Sequence, residues 1–156
     1  MGDFLFKQLE FARSQTLKGL DGITESAATR IPDKFRNHIL WNAGHIYLVQ
    51  ERFAFVLHGL EAQLPESFIT LFAPGTTPLN WTESPPAFTE VIDMLQKQPQ
   101  RIQDALKNCI WDKIATPYTT STGMTLDTIG SFLNFTFYHE GMHYNTIRQY
   151  KVLLNL

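Results

Sequence analysis

Residues 61–86 contain Pro65, Pro74, Gly75, Pro78, Pro85 and Pro86 and show no sustained hydrophobic period, so the middle of this chain cannot be one long helix. A connector of about 25 residues exceeds the roughly 2–8 that usually join antiparallel helices, and it is long enough to cross a whole bundle. The helices on its two sides are therefore expected to run parallel.

Apolar residues on either side of the connector recur at helical spacing. Residues 3 to about 19 predict a first helix, with Phe4, Leu5, Gln8, Phe11, Ala12, Gln15 and Leu17 carrying the period and Asp3 as N-cap. Residues 32–60 predict a second, opened by Pro32-Asp33 and closed by Gly59. A third is expected after Ser84-Pro85-Pro86, with Pro99 producing a kink near Leu95 or a short break. The β-prone stretch 112–123 is too short for more than a hairpin or extended arm. Thr125 is the expected cap of a last helix running to about Leu154. The expected fold is all-α, a four-helix bundle with a long crossover connection between helices two and three, and residues 1–156 form a single domain.

Composition narrows the function classes. With 44% hydrophobic and 18% charged residues the chain should be a soluble globule, and no apolar run reaches the roughly 20 residues of a membrane helix. A net charge of −2 without a basic cluster gives no footprint for nucleic acid. The N-terminus lacks a signal-peptide pattern and Cys109 is the single cysteine, so a cytoplasmic location is expected. A small-molecule substrate or a second copy of the chain is the expected partner.

The strongest motif is His139-Glu140-Gly141-Met142-His143, a match to H-E-x-x-H. Residues four apart on a helix lie about 40° apart and one turn up, so both imidazoles can reach one ion. Phe132, Phe135, Met142, Thr146, Tyr150 and Leu153 share the histidines' side of the helical wheel, which places the pair on a buried stripe. The bland alternative is a pair of core histidines hydrogen-bonded to Thr136 or Thr146. A zincin protease needs a third ligand downstream, and YNTIRQYKVLLNL contains no His, Asp, Glu or Cys. The third ligand must come from upstream.

His38 and His45 share a face of helix two but stand two turns apart, roughly 10 Å, too far to ligate one ion together. His45 is preferred because it lies nearer the helix middle, among Trp41, Gly44 and Ile46. His58 falls on the polar side beside Gly59, where a cationic histidine would suit the helix dipole. Glu140 lies at the margin of the buried stripe, either a general base or a boundary carboxylate facing solvent or Arg148. Asn42 is placed to orient a ligand or substrate, while Tyr47 and Tyr150 read as packing residues.

Trp41, His45 and Ile46 in helix two, with H-x-x-x-H in the last helix, resemble the DinB/YfiT-like superfamily of metalloenzymes over nearly the whole chain. That resemblance implies a bundle, often dimeric, holding a divalent metal such as zinc or nickel through His45, His139 and His143. It also implies an S-transferase or isomerase using a low-molecular-weight thiol such as bacillithiol, mycothiol or glutathione. A metal-dependent hydrolase and a non-catalytic metal- or ligand-binding bundle are the alternatives. One departure is visible: a Gly-Gln pair frequent in such proteins is replaced here by Asn145-Thr146.

Overall fold

A computed structural model of the protein describes residues 2–156. It is mostly helical. Four long helices, α1 (Gly2–Leu20), α3 (Ile39–Ala54), α5 (Phe88–Leu106) and α6 (Ile129–Leu153), pack in a closed ring in which each touches two others. Two short helices, α2 (Glu25–Ala28) and α4 (Glu66–Phe72), and an antiparallel hairpin, β1 (Lys113–Thr119) with β2 (Thr125–Thr128), fill the connections. No helix is long and apolar enough to cross a membrane among the described residues.

In α1 the period is as expected but the phase is not. Phe6, Leu9, Arg13, Thr16 and Leu20 face the core, while Phe4 and Phe11 are exposed. Weight given to the phenylalanines hid a stripe with an arginine at its centre. Asp3 sits in the first turn, not at the cap, where its charge still suits the helix N-terminus.

Helix α3 is shorter than the 32–60 expectation because His38 caps it, its Nδ1 accepting the Trp41 N–H at 3.0 Å. Residues 32–38 are not helical: the chain turns at Asp33-Lys34, with Lys34 at φ 66, a left-handed conformation no helix continues through. At the other end a 3-10 turn, Val56–His58, closes on Gly59 at φ 69. Every residue of α3 except Arg52 is buried. Helices α2, α4, α5 and α6 all pack against it.

The connector contains α4, whose Phe68, Leu71 and Phe72 are buried at spacing i, i+3, i+4. Seven residues are too few for that period to register in a longer window. Parallel packing across the connector is as expected: Gln98 donates to the Tyr47 carbonyl and to Glu51, and Arg101, farther along α5, pairs with Glu51 and lies over Phe55. Helix α5 runs unbroken through Pro99. Proline removes the N–H that would bond the Leu95 carbonyl, and buried Arg13 supplies a donor to that oxygen at 2.6 Å.

The predicted hairpin forms, pairing Tyr118 with Leu126 and Thr119 with Thr125. Thr125 therefore belongs to a strand. The cap of α6 is Thr128, whose hydroxyl accepts the Ser131 N–H at 3.2 Å while Ser131 Oγ accepts the Thr128 N–H at 3.0 Å. In α6 the buried face is Ile129, Phe132, Leu133, Thr136, Glu140, Ile147 and Tyr150, so Phe132 and Tyr150 of the expected stripe are buried, while Met142 and Leu153 are exposed. The expected stripe was thus rotated, with Glu140 at its centre.

Candidate metal centre

Helix α3 supplies His45, and α6 supplies His139 and His143 from successive turns. One ligand nitrogen from each ring lies within 4.8 Å of the other two, a geometry able to hold a metal ion. His45 Nε2 and His139 Nε2 are 3.1 Å apart. His45 is 4% exposed, and the other two are half-buried.

The far side of two rings is fixed. His45 Nδ1 lies 2.6 Å from the carbonyl of Phe72. That carbonyl ends α4 and has no partner within its helix. A carbonyl only accepts, so Nδ1 carries the proton and Nε2 keeps a lone pair. His143 Nδ1 lies 2.8 Å from Asn42 Oδ1. The Asn42 amide is oriented because its Nδ2 donates to Asn37 Oδ1 and to the His38 carbonyl. Tyr150 also donates to Asn37 Oδ1, at 2.7 Å. His143 is therefore protonated at Nδ1 as well, leaving Nε2 free. Neither Thr136 nor Thr146 serves a histidine: Thr136 accepts from Gln50, and Thr146 donates to the Met142 carbonyl.

This donor set fits a divalent cation. Two imidazole nitrogens 3.1 Å apart suit a shared ion with bonds of about 2.0–2.1 Å. The outer hydrogen bonds are those that metal-ligating histidines generally make. Burial lowers the pKa of all three rings. Proximity to His45 helps bring His139 to about 4, and proximity to His139 and then His45 helps bring His143 to about 3. Neutral imidazole, the ligating form, prevails at pH 7.

Packing holds the α3 histidine in place. Trp41 stacks on His45 with ring centroids 4.7 Å apart and planes 10° from parallel. A Cβ at Gly44 would lie 2.6 Å from the Phe72 ring, so only glycine lets α4 approach closely enough to bring its last carbonyl to His45.

The other candidates fall elsewhere. His38 caps α3 and packs edge-on against Trp81, outside the cluster. His58 is not a cationic helix cap: both ring nitrogens are buried without a hydrogen-bond partner, Phe132 meets the ring edge-on, and burial lowers its pKa. Glu140 is 1% exposed and faces neither solvent nor Arg148. Its oxygens accept from Arg13 Nε at 2.9 Å and Nη2 at 3.2 Å. Tyr47 and Tyr150 have pKa values raised by burial, Tyr47 to about 12 with Glu51 contributing, so neither titrates near neutrality.

Sequence reasoning missed the Phe72 carbonyl, Asn37 and Arg13. A backbone acceptor leaves no mark in a sequence. Arg13, spaced with Leu9, Thr16 and Leu20, was a legible sign of a buried polar contact.

A cavity of about 320 Å³ opens against His45 and His139, walled by Leu48, Val49, Phe53, Phe135 and Tyr118 among others. The centre thus has an accessible side. A sequence model of the DinB superfamily matches residues 8–147 of the chain. No curated protein matches it.

Proposed function

Because the chain belongs to the DinB superfamily, we propose that it is a metal-dependent enzyme of the four-helix-bundle type, with His45, His139 and His143 holding one divalent cation, zinc or nickel. The proposed reaction is transfer of a low-molecular-weight thiol such as bacillithiol to a small electrophile. The observation that carries this reading is the convergence of three neutral imidazoles, two with their Nδ1 protons committed elsewhere, beside an open cavity.

Three protein ligands favour a catalytic over a structural site, since structural zinc is usually bound by four. A cation held by the neutral rings of His45, His139 and His143 would keep its charge and would favour thiolate over thiol in a bound substrate. The residues of this chain do the rest. Phe72 and Asn42 hold the rings of His45 and His143 in one tautomer, Trp41 fixes the plane of His45, and the cavity walls offer a largely apolar surface beside them. Thiol transfer is preferred to hydrolysis assisted by a carboxylate base, because no carboxylate lines the cavity among the described residues and Glu140 is held by Arg13. We assign Glu140 an anchoring role between α6 and α1, and Asn42 a role in positioning His143. A homodimer, supported by the resemblance alone, and a cytoplasmic location, supported by the single cysteine, are part of the same proposal.

The test has two stages. Protein purified without an affinity tag is analysed for metal, with about one equivalent expected. Zinc- or nickel-loaded protein is then offered bacillithiol, mycothiol or glutathione with a panel of electrophiles while free thiol is followed. Ester hydrolysis without thiol consumption would replace the transferase reading with the hydrolase one.

A further inference from the structure

Resting on the three-histidine reading, we infer that the cavity beside the centre receives a small apolar carboxylic acid, its carboxylate on Arg52 and its other end turned toward His45 and His139. The cavity volume, about 320 Å³, is at the lower end for small-molecule sites, and its walls are predominantly aliphatic and aromatic. Such walls suit a hydrocarbon or aryl body and discriminate against a polar sugar or peptide.

Arg52 supplies the polar end. Among the described residues it is the one side chain lining this cavity that carries a permanent charge. It is also the single position in α3 that is not buried. No carboxylate pairs with it among the described residues, whereas Arg13 and Arg101 each hold a buried glutamate. Seven residues beyond His45, it stands on the same face of α3, about 10 Å farther along the axis. An unpaired guanidinium there offers a planar fork that matches a carboxylate. The two ends of the cavity therefore have different chemistry, a cation at one and imidazole nitrogens at the other.

Calorimetric titration of zinc-loaded protein with 4-phenylbutyrate and with neutral 4-phenylbutyramide tests the assignment. The acid is expected to bind at least about tenfold more tightly, the difference one charge-assisted hydrogen-bonded pair makes. Arg52→Met should bring the two ligands within about threefold of each other while zinc stoichiometry stays the same, and Arg52→Lys should keep part of the preference. Arg52 is exposed, so neither variant threatens folding. Equal affinity for acid and amide, no binding of either, or an acid preference that survives Arg52→Met would overturn the inference. Failure of the three-histidine reading looks different: wild-type protein then takes up no zinc, yet the Arg52-dependent preference persists in metal-free protein.

Discussion

Arg13 Nη1 donates to the Leu95 carbonyl at 2.6 Å, the oxygen that Pro99 leaves without its helical donor. The same guanidinium bonds both Glu140 oxygens and the Gln98 side chain. One buried cation thus joins α1, α5 and α6, and it makes a proline tolerable inside α5. Arg13→Met should cost about 3–5 kcal/mol, because it strands a buried carboxylate and an orphan carbonyl. Pro99→Ala restores an N–H to Leu95, so in that background the cost should fall by about 1 kcal/mol. Urea denaturation of the four proteins measures the coupling, and strictly additive changes would refute it.

Metal should stabilise the fold measurably. At zinc concentrations near 100 times Kd the gain should be about 2.7 kcal/mol, seen as a raised Tm. His45→Ala, His139→Ala and His143→Ala should abolish both the shift and the bound metal. His38→Ala should retain the metal and lose only the cap, about 1 kcal/mol.

The outer hydrogen bonds should matter nearly as much as the ligands. Asn42→Leu removes the acceptor of the His143 Nδ1 proton, and Gly44→Ala pushes Phe72 and its carbonyl away from His45. Each should weaken metal binding by about 10–100-fold in a competition titration against a chelator. Unchanged affinity in both would mean that the imidazoles need no such support.

Acid should loosen the start of α3. Burial lowers the His38 pKa from 6.5 to about 4, and its Nδ1 must stay bare to accept the Trp41 N–H. The unfolded chain takes up a proton as pH falls through 6.5, whereas the folded chain does so only near 4. Stability is therefore fully present above about 6.5 and falls across that window. Asn caps a helix without titrating there, so His38→Asn should show a shallower decline between pH 6.5 and 4 than wild type, both measured by chemical denaturation. Equal slopes would show that the cap does not sense pH.

How far the sequence revealed this protein differs from residue to residue. The spacing of His139 and His143, the placement of His45 and the parallel course across the proline-rich connector were legible because each follows from helical geometry or chain length alone. Phase was harder than period. In α1, exposed Phe4 and Phe11 outweighed buried Arg13, and in α6 exposed Met142 and Leu153 placed Glu140 at the edge of a face it centres. Hydrophobicity ranks side chains one at a time, whereas an arginine and a glutamate on different helices become core residues only as a pair. The Phe72 carbonyl was out of reach for another reason, since any residue type could have supplied it.

The cavity shares α3 and α6 with the three histidines but draws the rest of its wall from other parts of the chain. The histidines stand on the long helices α3 and α6, while Leu64, Ile69, Ala73 and Pro74 come from the proline-rich connector and Tyr118 from the hairpin. Connections accept substitution and changes of length far more readily than packed helices do. Descendants of one ancestral chain can therefore diverge in what they accept while inheriting the same three imidazoles.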